Sequence, residues 1–197
     1  MQDCFVFLDK PAGITSFQAV LEVKRLFKAR KAGHTGTLDT HSTGLLIIGL
    51  DDAVKDINLL MGLKKTYAGV MQLHKDIDKK ELEIACKKFI GKITQLPPKK
   101  SAVMRKNRER EIYYFKILSL KNKKADFEVE CEAGTYIRKL VHDMGQLIGG
   151  ANLVNLRRTG IGPFSLENAG GLEEIKKNME KYTKSVEQVL EKIKYYS

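Results

Sequence analysis

The chain has 197 residues, 43% of them hydrophobic and 30% charged, and its 35 Lys and Arg against 24 Asp and Glu leave a formal net charge of +11. That hydrophobic share excludes wholesale disorder, and the length suits one catalytic-size domain. No apolar run approaches the roughly 18–20 residues of a bilayer-spanning helix.

Met1-Gln2-Asp3 places no basic stretch before the apolar Cys4-Phe5-Val6-Phe7-Leu8, so no secretory signal is read and a cytoplasmic location is expected. Residues 4–8 read as a short buried strand. Residues 16–31 read as a helix that Ser16 can cap, with Val20, Val23 and Phe27 near helical spacing. Its end is densely basic, with Lys24, Arg25, Lys28, Arg30 and Lys31. A polar loop at 31–43 carries Gly33 and Gly36 and leads to an apolar strand at 45–50. Another strand is expected at 66–73, then a helix from Asp78 to about 90. Asp78 and Glu81 have capping-box spacing there, and Gly91 supplies the stop. A second basic segment holds Lys99, Lys100, Arg105, Lys106, Arg108 and Arg110 against the single Glu109. Strands follow at 111–120 and 126–132, the latter alternating Phe127, Val129 and Cys131 with Glu128, Glu130 and Glu132. Residues 135–148 read as a helix ended by Gly149-Gly150, and a last helix covers roughly 172–193. Hairpin-like strand pairs mixed with helices predict an α+β fold around a mixed sheet.

The charge excess lies wholly in residues 1–165, because 166–197 carry six side chains of each sign. Basic blocks of this kind attract polyphosphates, of which nucleic acid is the commonest. Cys4, Cys86 and Cys131 are scattered, as reduced thiols are, and the four histidines share no ligand spacing with them.

The stretch Gly33-His34-Thr35-Gly36-Thr37-Leu38-Asp39-Thr40-His41-Ser42-Thr43-Gly44 is the most informative. Asp39 is the only carboxylate between Glu22 and Asp51, and it lies near Lys28, Arg30, Lys31 and His34 in sequence. Such surroundings keep a carboxylate ionised, which suits a nucleophile or an ion-pairing group. The plain alternative is an Asx-turn aspartate in a loop turned by glycines. A Ser42/His34/Asp39 triad lacks a nucleophile elbow, no Walker phosphate loop is present, and His34 with His41 is a weak metal pair. At a strand-to-helix passage, Tyr136 and Arg138 are two apart and share a face in extended backbone. A stacking plane and a cationic fork result, the alternative being a core Tyr and a surface Arg.

Together these residues resemble the TruB-type pseudouridine synthases. Leu8-Asp9-Lys10-Pro11-Ala12-Gly13-Ile14-Thr15-Ser16 looks like the family's first motif, and Gly33-His34-Thr35-Gly36-Thr37-Leu38-Asp39 like its catalytic loop. Lys65-Thr66-Tyr67, Gly134-Thr135-Tyr136-Ile137-Arg138 and Leu156-Arg157-Arg158-Thr159 follow in the family's order. Leu73-His74-Lys75-Asp76, Pro97-Pro98-Lys99-Lys100-Ser101-Ala102-Val103, Tyr113-Tyr114 and Gly162-Pro163-Phe164 resemble the archaeal and eukaryotic dyskerin-like branch, the catalytic subunit of H/ACA guide-RNA particles.

The resemblance implies a pseudouridine synthase fold, a mainly antiparallel central sheet flanked by helices with a central RNA-binding cleft. Residues 1–165 would form the catalytic domain and 166–197 a helical tail. It implies isomerisation of uridine to pseudouridine in rRNA or tRNA, without metal or organic cofactor. Asp39 would be the nucleophile. Tyr67 would stack on the flipped base and assist proton removal. Arg138 would pair with Asp39, while His34, Tyr136 and Leu156 would line the pocket. A base in a stack must be extruded before it can react, which stacking and backbone contacts offset. Lys24, Arg25, Lys28, Arg30, Lys31, Lys99, Lys100, Arg105, Lys106, Arg108, Arg110, Arg157 and Arg158 would track phosphates. Expected partners are substrate RNA, an H/ACA guide RNA, small accessory proteins and a separately encoded PUA domain; no membrane partner is expected. The sequence departs from the family pattern at Thr40, where Pro is usual, and the family's usual C-terminal PUA domain is expected to lie on a separate polypeptide, to be lost, or to lie beyond Ser197. The rival readings are a stand-alone tRNA T-loop synthase and an inactive RNA-binding scaffold subunit.

Overall fold

The computed structural model describes residues 3–97, 104 and 106–196. Lys99, Lys100 and Arg105 of the second basic segment lie outside the described residues, as does most of the Pro97-to-Val103 stretch. The chain divides into two compact units, Met1–Leu63 with Arg157–Ser197, and Lys64–Leu156. Among the described residues no helix is long and apolar enough to cross a membrane.

In the first unit, β1 (Cys4–Lys10) leads to α1 (Ser16–Leu26), then to β2 (Ala32–His34) and β3 (Thr43–Leu50). A 3-10 turn at Asp51–Asp56 and the short α2 (Ile57–Met61) follow. The cap of α1 is Thr15 rather than the expected Ser16, in a reciprocal box with Gln18. The helix also ends earlier than the 16–31 read from periodicity. Lys28 takes φ 54, and the Asp51 carboxylate accepts the Arg30 and Lys31 N–H groups at 2.7 and 3.0 Å. These bonds, the Lys31 one first, hold the Asp51 carboxyl below its ordinary range. The released chain forms β2, antiparallel to β3, where a polar loop was expected to begin.

The second unit contains β4 (Lys65–Leu73), α3 (Lys79–Lys87), β5 (Gly91–Gln95), β6 (Arg108–Lys121), β7 (Lys124–Cys131) and α4 (Ile137–Gln146). Asp78 caps α3 by accepting the Glu81 N–H at 2.7 Å. Gly91, at φ 92, ends the helical region and opens β5, a strand the sequence reading did not contain. The alternation read in β7 is present: Phe127, Val129 and Cys131 are buried and Glu128 and Glu130 half-exposed. The apolar face of α4, with Ile137, Leu140, Val141 and Met144, packs with them in one core cluster.

Strand β8 (Ala151–Ile161), also unread in the sequence, belongs to both units by chain position. The hydrogen-bonded order is β8-β4-β7-β6-β5 in the second unit. Beyond it the chain returns to the first unit through β9 (Phe164–Ser165), α5 (Leu172–Lys177), β10 (Thr183–Ser185) and α6 (Val186–Lys194), giving the order β10-β1-β3-β8 there. The single last helix expected over 172–193 is therefore two helices around a strand. Asn178 breaks it at φ −148, ψ 84, β10 pairs antiparallel with β1, and Ser185 starts α6 in a box with Gln188.

Both faces of β1 and β3 are buried, which explains their near-continuous apolar sequences. Val6, Leu8, Leu46 and Ile48 pack against α1 residues Ala19, Val20 and Val23, and against Ile175 and Tyr182. Phe5, Phe7, Leu45 and Ile47 face Ile57, Leu60, Phe164 and Val189. Residues 166–197, expected as a tail, thus supply side chains to both faces of the first unit's core. Each large apolar side chain so buried stabilises by roughly 1.5–3 kcal/mol.

Where β3 runs parallel to β8, Gly44 is paired with Arg158. A Cβ on Gly44, at φ 104, would stand 2.2 Å from the Arg158 carbonyl oxygen, whereas one on Gly91 would meet nothing within 4 Å. Gly91→Ala is therefore expected to cost only the backbone strain of about 1–2 kcal/mol. Gly44→Ala adds a backbone clash and should cost more than about 3 kcal/mol. Denaturant midpoints of the two variants check this ordering.

Candidate active site

In the first unit the loop carrying Asp39 is tied down at successive points. Thr35 N–H donates to Ile47 C=O at 3.1 Å as β2 ends. The buried Ser16 hydroxyl accepts Leu38 N–H at 2.8 Å and donates to Leu38 C=O at 3.0 Å. Released from capping α1 by Thr15, Ser16 thus works as a bridge from the helix start to the residue preceding Asp39. Leu38 itself is buried. Beyond it, Gly13 N–H donates to Thr40 C=O at 2.9 Å, and Ser42 N–H to Asp39 C=O at 3.0 Å. The contact from Gly13 uses a carbonyl, which proline would supply as well, so the departure at Thr40 removes no anchor. Asp39 stands exposed between these fixed points.

Beneath the loop lie two buried cations. Lys10 is 0% exposed, its Nζ donating to Pro11 and Ile14 C=O at 2.7 and 2.8 Å. Arg158 is 1% exposed, with Nε donating to Leu45 C=O at 2.8 Å and Nη2 to Gly36 C=O at 3.0 Å. A phosphate contact by Arg158 was expected; its burial and these two carbonyls make it a brace of the loop instead. Burial, then the Arg158 charge, push the Lys10 ammonium below its ordinary value, while Asp39 pulls it back. The same two causes push the half-buried His34 below its ordinary 6.5, so its ring is neutral at pH 7. His34 Nδ1 accepts Gly36 N–H at 3.2 Å, which leaves the ring proton on Nε2. Ser16 and Arg158 in this supporting role were not legible from spacing, since each acts through backbone groups distant in sequence.

In the second unit, Tyr67 on β4 and Leu156 on β8 are half-buried and pack against the same apolar cluster. Tyr136 is the residue before α4, and Arg138 is exposed on its first turn. A cleft of about 450 Å³ is lined by Arg138, Lys139, His142, Asn152 and Leu153. Of the expected phosphate contacts, Arg25, Lys28, Arg30, Lys31 and Lys106 are exposed, and Lys24, Arg108 and Arg110 half-buried. Arg110 lies 3.5 Å from the Glu132 carboxylate. Arg157 is held by Asp9 at 2.6 Å and by the Thr43 hydroxyl at 3.2 Å, tying β8 to β1 and β3.

Residues 24–137 match the N-terminal domain of the TruB family of pseudouridylate synthases, and 138–193 a C-terminal domain of tRNA pseudouridylate synthase B. A probable tRNA pseudouridine synthase B of Methanopyrus kandleri is 50% identical over 170 residues, covering 86% of this chain and 50% of that protein. The corresponding Methanothermobacter thermautotrophicus protein is 42% identical over 172 residues, covering 87% and 53%. The chain thus spans about half the length of the curated relatives it matches. A solved Cbf5–Nop10–Gar1 complex contains a chain that superposes with TM-score 0.92 at 35% identity, over 97% of this chain and 62% of that one. An H/ACA ribonucleoprotein bound to a substrate RNA containing 2'-deoxyuridine gives 0.86 at 32% identity, over 96% and 61%. The expected fold, a mixed α+β sheet flanked by helices in the pseudouridylate synthase manner, is the one found.

The electrostatics of the Asp39 loop make two expectations. His34 should titrate below 6.5 with Nε2 protonated when neutral, as nitrogen-detected NMR would show. Because its folded value is depressed, its contribution to stability is complete above 6.5 and is lost as the pH falls through the folded value. Arg158→Lys should lower stability by about 1–3 kcal/mol for each carbonyl left without a donor, measured by denaturant unfolding.

Proposed function

The chain belongs to the TruB pseudouridylate synthase family, and from that premise we propose that it isomerises uridine to pseudouridine within RNA. The observation that carries this reading is the exposed Asp39 on a loop fixed through Ser16, Gly13 and Arg158. In the reaction the bond from N1 of the base to C1' of the ribose breaks. A bond from C5 to C1' forms, the C5 proton leaves, and N1 gains a proton. Nothing is added or oxidised. The protein must therefore expose the base, hold it while it turns, and stabilise charge during detachment. Asp39 is proposed as the nucleophile. Tyr67 offers a stacking plane and a group to assist removal of the C5 proton. Arg138 is proposed to pair with Asp39 through its guanidinium fork. His34, neutral near pH 7, and Tyr136 and Leu156 are proposed to contact the base.

The proposed substrate is rRNA or tRNA, selected by an H/ACA guide RNA in a particle with small accessory proteins. Likeness to chains of the Cbf5–Nop10–Gar1 complex and the RNA-bound H/ACA particle supports this reading. The second reading, a stand-alone tRNA synthase, is favoured by the relatives described as probable tRNA pseudouridine synthase B. An inactive scaffold has no use for Asp39, Tyr67 and Arg138 together.

Pseudouridine mapping on tRNA and rRNA fragments, with and without guide RNA, separates these readings. Asp39→Asn is expected to abolish product while leaving RNA affinity nearly unchanged, and Tyr67→Leu to lower the rate sharply. Full turnover by Asp39→Asn would remove the nucleophile assignment. For the backbone contacts, Arg30→Ala with Lys31→Ala should weaken binding. Each lost phosphate contact should flatten the slope of log affinity against log salt by about 0.7–0.9. An unchanged slope would take these cations out of the interface.

A further inference from the structure

Gln95, the last residue of β5, is 2% exposed although β5 ends the strand order of its unit among the described residues. Its side-chain amide is committed to one residue 41 positions away. Nε2 donates to Tyr136 C=O at 3.2 Å, and Oε1 accepts Tyr136 N–H at 3.0 Å. A side chain that satisfies both main-chain groups of a single residue does for it what a neighbouring strand would do. Tyr136 is the N-cap of α4 and makes no side-chain capping bond; its C=O accepts the first helical N–H, from Leu140 at 2.9 Å, as well as Gln95 Nε2, and its N–H, outside the helical ladder, is met by Gln95 Oε1.

The turn leading to Tyr136 is held from its other end by β6. Glu132 N–H donates to Glu111 C=O at 2.8 Å, and Glu111 N–H to the Glu132 carboxylate at 3.1 Å. Arg110 lies 3.5 Å from that carboxylate, and the Thr135 hydroxyl donates to Glu132 C=O at 2.7 Å. The end of β5 and the start of β6 therefore both clamp the turn from which Arg138 projects, two residues past Tyr136. In chain order they are the same two strand ends between which Lys106 lies, with Arg108 the first residue of β6.

We infer that Gln95 is a positioning residue for Arg138: its amide fixes the Tyr136 backbone and thereby the first turn of α4. The inference rests on the role proposed above for Arg138. Gln95 contacts no reacting atom in this scheme. It sets the direction from which the guanidinium leaves the helix and joins that direction to the strand pair that carries the basic stretch. A displacement of about 1 Å in such a group can cost on the order of a hundredfold in rate, so a fixed cap at this point has catalytic consequence.

Two variants of the whole chain test this. Gln95→Met keeps the volume and removes both bonds, whereas Gln95→Glu keeps an acceptor for Tyr136 N–H. Hydrogen exchange at Tyr136 N–H is expected to accelerate about tenfold or more in Gln95→Met and less in Gln95→Glu. The NMR order parameter of Arg138 Nε–H should fall in the same sequence. Pseudouridine formation should lose about tenfold in kcat with KM for RNA unchanged, and Gln95→Glu should restore part of it. Faster Tyr136 exchange with an unaltered Arg138 order parameter, or with unaltered kcat, overturns the inference. So does exchange that accelerates equally throughout β5 and α4, the mark of a purely structural role. An unsubstituted chain that forms no pseudouridine counts against the proposed activity, and the Arg138 order parameter then decides the positioning role by itself.

Discussion

A guanidinium buried without exposure must have its donors met, or the charge becomes prohibitively costly. Arg158 meets this demand by spanning two carbonyls, Leu45 on β3 and Gly36 in the loop beyond β2. The first unit is arranged around that requirement. Gly44 has no side chain because the Arg158 backbone passes where a Cβ would stand. Gly36 turns at φ 137 with its carbonyl held by the same guanidinium. His34 stays neutral in part because that charge is near. Lysine can meet two neighbouring carbonyls, as Lys10 does, but its flexible stem does not fix the direction of each bond as a planar fork does.

From that constraint follows a division of labour among the basic residues. Lys10 and Arg158 are inside and serve backbone carbonyls. Others are spent on carboxylates, as Arg157 is on Asp9 and Arg110 on Glu132. A third group, including Arg25, Lys28, Arg30, Lys31 and Lys106, remains exposed to solvent and available to a polyanion. The net charge of +11 is thus a poor count of phosphate contacts, because part of it is structural.

Local signals were legible where local physics decides. The period-two alternation of β7, the Asp78 cap and the apolar run of β3 all appear where pattern placed them. The failures have identifiable causes. Helix periodicity through Phe27 did not reveal that Asp51, some twenty residues on, captures Arg30 and Lys31 and turns the chain into β2. Strand β8 alternates poorly, being exposed over much of its first half and buried at Arg158, Gly160 and Ile161, so no period-two signal was available. The reading of one last helix missed β10 because Thr183, Lys184 and Ser185 become a strand only by pairing with β1. Gln95 carries no signal at all in sequence: an isolated glutamine gains meaning from Tyr136.

The sequence by itself determined the family, the mixed α+β class, and the residues proposed for the chemistry. Those rest on residue type in short contiguous motifs, which sequence records directly. The tertiary structure alone decided which of the motif residues act as supports. Ser16 left the helix cap for the Leu38 backbone, Arg158 turned from phosphate to carbonyl, and Gln95 became the clamp on the residue that starts the helix bearing Arg138. Hydrogen bonds from side chains to distant main-chain groups make these assignments. Since every residue presents nearly the same backbone donors and acceptors, no pattern in the sequence distinguishes the one that will be chosen.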